Sequence, residues 1–181
     1  MISPKDILDF WFSESMRAKW FASTPQLDAA IKAQFERVWE AAMLGELDDW
    51  QNIPDGCLAL VIILDQLPLN MFRGTAKSFS SEAKSRDVAR RAIDQGFDKK
   101  IDAARLAFLY LPFMHSENLA DQDLSVQLFE TAGLKNNLRF AQHHREIVRR
   151  FGRFPHRNVI LGRASTPEEN DYLTSKEAFK G

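Results

Sequence analysis

The chain has 181 residues, with 24 Lys plus Arg against 25 Asp plus Glu, a 45% hydrophobic share and a single cysteine. That length and balance describe an ordinary globular chain with enough residues for a continuous core, and they exclude a disordered one. A single cysteine excludes an intramolecular disulfide and a Cys-rich zinc site, and the longest apolar run, Cys57 to Leu64, falls far short of the ~20 residues of a membrane-spanning helix.

Ala and Leu are abundant beside scarce Val, Ile and Thr, which favours helices over strands. Ser3-Pro4 opens a first helix, with Ser as N-cap and Pro at the first helical position, and it carries Ile7, Leu8, Phe10 and Trp11. Asp6 and Asp9 interrupt this apolar start, so it does not read as a secretory leader. Thr24-Pro25 repeats the opening device before a stripe of Leu27, Ile31, Phe35, Val38, Trp39 and Ala42, which Gly45 ends. Residues 54–66 are apolar nearly all round and predict a helix buried on every side, ending at Asp65 before a turn around Pro68. Residues 80–95 begin at a serine and place Val88, Ala89, Ala92 and Ile93 on one face. Residues 102–115 are again very apolar and are bent or ended near Pro112. Stretches 119–132 and 137–151 stop at Gly133 and Gly152, and Thr166-Pro167-Glu168-Glu169 has the form of a capping box. The pattern predicts an all-α fold in a single domain over 1–181. It reads as an irregular stack of antiparallel, tetratricopeptide-like helical hairpins, over about 25–66, 80–115 and 119–151, with a C-terminal turn and short helix over 152–175. No 34-residue period or Trp-x-x-Leu-Gly-x-x-Tyr pattern recurs, so the hairpins are unequal.

The net charge of −1 hides a segregation: residues 1–60 sum to −5, 61–134 to −1, 135–163 to +7 and the tail to −2. A basic segment inside a neutral chain either binds an anion or pairs with acids elsewhere, and the acid-rich first third offers such partners. The Arg residues of 139–150 fall on more than one helix face, which argues against nucleic-acid binding.

Five polar groups need a reason for their positions. Asp65 ends the most apolar helix, where it either pairs with Arg73 or Arg157 or serves as a general base or ligand anchor. Asn70 and Arg73, beside Gly74, either receive an anion or form a locked turn. His115 and Glu117 stand where one apolar helix breaks, as an acid/base pair, as half a metal site, or as neighbours of a capping Ser116 or Asn118. His144 aligns with Phe140, Ile147, Val148 and Phe151 and reads as a core histidine, whereas His143 lies on a polar face. Finally, Arg153 to Arg163 sets His156, Arg157 and Asn158 at a Pro-initiated turn after the basic helix. If that turn meets the 115–117 corner and the 65–74 segment, Asp, Glu, His, Arg and Asn share one polar concavity. No His-Glu-x-x-His or Glu-x-x-His spacing is present, so no metal is expected, and no dinucleotide or phosphate-loop glycine pattern calls for a cofactor.

Three segments together carry a family resemblance: Asp65-Gln66-Leu67-Pro68-Leu69-Asn70-Met71-Phe72-Arg73-Gly74, Tyr110-Leu111-Pro112-Phe113-Met114-His115-Ser116-Glu117, and Arg150-Phe151-Gly152-Arg153-Phe154-Pro155-His156-Arg157-Asn158. They resemble the hallmark segments of the bacterial domain of unknown function 924, and the likeness extends from Asp9-Phe10-Trp11-Phe12 to Thr166-Pro167-Glu168-Glu169. The resemblance implies a tetratricopeptide-like helical protein and no established reaction. Leu69 departs from it, standing where relatives commonly carry Arg, and receives no role here.

Two classes of function follow. The first is a cytoplasmic binding module for a peptide, a partner protein or a small anionic ligand, with Asn70, Arg73, Arg157 and Asn158 as ligand contacts. The second is a small-molecule enzyme, such as a hydrolase, in which His115, His156, Glu117 and Asp65 are the catalytic candidates. The binding module is the favoured reading; neither nucleic acid nor membrane is an expected partner.

Overall fold

A computed structural model describes residues 2–20 and 22–179, and among these the regular structure is entirely helical. The residues divide into two compact units, one over 1–73 and 77–112 and the other over 113–181 with 74–76.

The first unit begins with α1 (Pro4–Trp11), whose N-terminus is closed by a capping box between Ser3 and Asp6. A four-residue α2 (Glu14–Arg17) follows. It escapes sequence reading because four residues show no helical period. Next comes α3 (Pro25–Leu44), capped by the Thr24 hydroxyl and ended by Gly45 at φ 82°, a left-handed backbone that glycine adopts without strain. It buries Ile31, Phe35, Trp39 and Ala42. The central helix α4 (Pro54–Val61) is buried from Gly56 onward and packs on α1 and on α6 (Glu82–Asp94). Gly56 permits a close approach there, since a Cβ at this position would stand 2.0 Å from the Trp50 carbonyl oxygen. Beside it, the Cys57 thiol donates to the Gln51 carbonyl at 3.4 Å, and burial pushes it up to about 11.

The chain corrects the expected stop at Asp65. α4 passes into a π-helical turn over Ile62–Gln66 and continues as α5 (Leu67–Met71), so Pro68 lies inside the helix. Proline has no N–H to return to the carbonyl four residues back, and its ring crowds that carbonyl. The wider π turn relieves the crowding, with the Leu67 N–H closing on the Ile62 carbonyl. The bypassed Leu64 carbonyl accepts a hydrogen bond from Ser81 Oγ at 2.6 Å, and Ser81 Oγ in turn accepts Trp39 Nε1–H at 3.0 Å. Ser81, the serine before α6, therefore makes no side-chain cap and closes the π turn instead. α3 packs along this π turn and α5. Trp11, Phe12 and Trp20 gather around Phe108 of α7 (Ala103–Met114), with ring centroids between 4.6 and 5.8 Å from it.

In the second unit, α8 (Leu119–Thr131) and α9 (Lys135–Phe151) lie along one another across the Gly133 turn. Asn118 caps α8 through its side chain. Buried Gln122 directs its amide at the carbonyls of Met114 and Ser116, at 2.7 and 2.6 Å, and so satisfies the backbone where α7 ends. A core of Ile147, Val148, Phe154 and Tyr172 joins α9 to α10 (Pro167–Thr174), which opens with the expected capping box of Thr166 and Glu169.

Replacing Ser81 by Ala leaves the Trp39 indole N–H and the Leu64 carbonyl buried without their shared partner. The expected loss is roughly 2–4 kcal/mol, to be read as a lowered urea midpoint at unchanged slope.

Candidate functional site

Asn70 and Arg73 meet residues of α3 at an open cleft of about 310 Å³ in the first unit. Pro25, Asp28, Ala29 and Lys32 come to it from one face of α3, at the three- and four-residue spacing of a helix. Asn70, Met71 and Arg73 supply the other wall from the end of α5 and just beyond it. Asn70 is therefore helical, placed by the continuation of the chain through Pro68, and does not belong to a loop.

Asp28 organises these groups. It accepts Ser23 Oγ at 2.6 Å, Asn70 Nδ2 at 2.7 Å and Arg73 Nε at 2.6 Å. Burial raises its carboxyl, but the bonds from Arg73, Ser23 and Asn70 outweigh that and hold it below the ordinary carboxylate value. Arg73 thus takes Asp28 as its ion partner, in place of the predicted Asp65. Asp65 itself is buried in the π turn, where it accepts the Gln66 amide. Lys32 projects beside Arg73 as the second cation of the cleft, and its ammonium lies 5.6 Å from the Phe72 ring centre. Ser23, Asp28 and Lys32 were missed by sequence reasoning. The one signal was the i, i+4 placement of Asp28 and Lys32 on an otherwise undistinguished polar face.

The second unit brings the 115–117 corner and the 153–163 segment together. Glu117 receives Arg163 through both oxygens, at 2.6 and 2.8 Å, and also the Phe154 N–H at 2.7 Å. Burial raises the Glu117 carboxyl, while the bonds from Arg163 and Phe154 carry it below its usual value. Arg157, buried over the Phe154 ring, donates to the His115 carbonyl at 3.1 Å. Asn158 is fully buried: its amide donates to Ser165 and Glu169, and its oxygen accepts Arg163. Arg157 and Asn158 therefore turn inward and bind the fold's own groups. Asp65, Asn70 and Arg73 belong to the first unit.

His144 and His156 both face Phe179, with ring centres at 4.4 and 5.1 Å. The His144 Nδ1 lies 2.8 Å from the Phe140 carbonyl, which fixes the proton on that nitrogen. Burial lowers His144 to about 3, and burial followed by the charge of Arg157 lowers His156 to about 4. His144 is thus the expected core histidine. Among the described residues, no three His, Cys, Asp or Glu side chains are grouped to hold a metal ion.

Four acids outside the +7 segment, and Glu146 within it, face its arginines. Arg145 faces Asp123, Arg149 faces Glu146, Arg150 faces Glu168, Arg153 faces Glu169 and Arg163 faces Glu117. For these five arginines, the partners lie in the 117–169 region instead of the acidic first third. Glu169, held chiefly by Arg153, falls to about 2.

Both lowered histidines stay neutral in the fold down to pH values at which the unfolded chain has already bound protons. The contribution of these two imidazoles to stability is therefore undiminished well above pH ~6.5 and declines on acidification toward their folded values, with a slope approaching about 1.4 kcal/mol per pH unit for each. Urea titrations between neutral pH and pH ~5 should show this slope. The His144→Gln and His156→Gln variants should each flatten it.

The family model described as "Bacterial protein of unknown function (DUF924)" matches residues 7–177. A solved structure of a protein of unknown function from Agrobacterium tumefaciens is 41% identical, with 94% of this chain and 96% of that chain covered and a TM-score of 0.89. No curated protein matches the chain. With nearly its whole length under the family model, the chain belongs to the bacterial proteins of unknown function grouped as DUF924.

Proposed function

We propose that this protein is a binding module for a small anionic ligand, held in the cleft between α3 and the end of α5. The observation that carries this reading is the charge of the cleft wall. Lys32 and Arg73 present two positive charges, and Asp28, the acid among the lining residues, is already satisfied by Arg73, Ser23 and Asn70. The Arg73 side chain is 57% exposed, and Asp28 engages its Nε and Nη2, so Nη1 and the outer face of the guanidinium are available to a ligand. Because Asp28 locks the guanidinium, little side-chain entropy remains to be lost on binding.

The enzyme reading has less support. Glu117 spends both oxygens on Arg163 and Phe154, and the imidazoles of buried His144 and half-buried His156 resist protonation near neutral pH. A general acid/base should titrate near its working pH.

Thermal shift with propanoate, succinate and inorganic phosphate tests the proposal. A ligand at tenfold excess over its Kd stabilises by roughly 1.4 kcal/mol, or a few degrees in a chain of this size. The shift should vanish in Lys32→Gln, whose unliganded melting temperature should stay within about 1–2 °C of the parent because Lys32 is exposed.

A further inference from the structure

The same cleft narrows the ligand class, and this inference rests on the anion-binding reading above. Asn70 is oriented by its amide nitrogen, which donates to Ser23 Oγ at 3.1 Å and to Asp28 at 2.7 Å. A carboxylate cannot donate, so this contact settles which end of the amide is nitrogen. The other end, Oδ1, has no protein partner among the described residues and is not sealed from solvent. The cleft wall therefore carries two cations beside an amide whose oxygen has no protein partner among the described residues.

Charge and space add limits. Lys32, Arg73 and Asp28 sum to +1, which suits a monoanion better than a zwitterion or a dianion. Glu36 leaves this balance unchanged, because it lies 4.0 Å from Lys32 but also pairs with Lys77 at 3.2 Å. The volume of about 310 Å³ is at the small end for ligand sites, and Pro25, Ala29 and Met71 give the rest of the wall an apolar character.

We infer that the cleft takes a small monocarboxylate bearing a neutral hydrogen-bond donor, a hydroxyl or an amide N–H, on the carbon next to the carboxylate. The carboxylate meets Lys32 and the outer edge of Arg73, the donor meets Asn70 Oδ1, and a short aliphatic group lies against Pro25, Ala29 and Met71. Two sources share this chemistry: a free 2-hydroxy acid and the C-terminal residue of a peptide.

Calorimetric titration of the full chain with propanoate, lactate, N-acetylglycine, alanine and inorganic phosphate separates the outcomes. Lactate or N-acetylglycine should bind roughly five- to tenfold more tightly than propanoate, the effect of about one added hydrogen bond. Alanine should be weaker than lactate, and Lys32→Gln should lose the binding. Lactate ahead of N-acetylglycine identifies the free acid, and the reverse order identifies a chain terminus. In nuclear magnetic resonance spectra the tighter probe should shift the Asn70 side-chain amide signals, while propanoate leaves them nearly unmoved. Equal binding of propanoate and lactate, preference for phosphate, or an unmoved Asn70 signal overturns this inference and leaves the anion site standing. Absence of binding by every probe overturns the anion site itself.

Discussion

The first unit depends on the fate of one carbonyl group. Pro68 cannot close the helix onto Leu64, and an orphan carbonyl in so apolar a setting costs about as much as a lost hydrogen bond. Ser81 satisfies it from the start of α6, and Trp39 of α3 satisfies Ser81, so one chain of two hydrogen bonds ties two helices to the π turn. The π turn leads directly into α5. Asn70 reaches Asp28 because α5 leaves the π turn at the angle that Pro68 and Ser81 together impose. The candidate cleft is thus a downstream result of a backbone repair.

The second unit uses charge where the first uses apolar packing. Five arginines of its basic segment face acids of the same unit, and Glu117 and Glu169 each gather several donors at once. Replacing one member of such a cluster leaves its partners buried and unpaired, so these arginines fix the C-terminal turn by specificity more than by net attraction. A sum of +7 over a stretch of chain therefore says little about surface potential once the chain is folded.

The helices were legible because their ends carry strong local chemistry: Ser3-Pro4, Thr24-Pro25 and Thr166-Pro167 cap where expected, and Gly45 and Gly152 terminate with positive φ. The passage through Pro68 was not legible, because local rules read proline as a stop and the relief comes from Ser81, thirteen positions later. Arg73 and Asn70 were found as polar residues at an apolar border, but Asp28 was hidden. In sequence it is one more acid in the first turn of a helix, where the dipole alone explains it. The meeting of Glu117 with the 153–163 turn was expected from charge. Its strength, with three donors on one carboxylate, depends on a backbone N–H that no side-chain pattern reveals.

Cys57 gives the molecule a property of a different kind. The thiol is fully buried against the Gln51 carbonyl, on the helix that packs against α1 and α6, and its proton is held far above neutral pH. Thiolate is the reactive form, so the folded chain is nearly inert to alkylating agents and to oxidants. Since this is the chain's single cysteine, its rate of modification counts openings of α4 and nothing else. The protein carries its own clock for the stability of its most apolar helix.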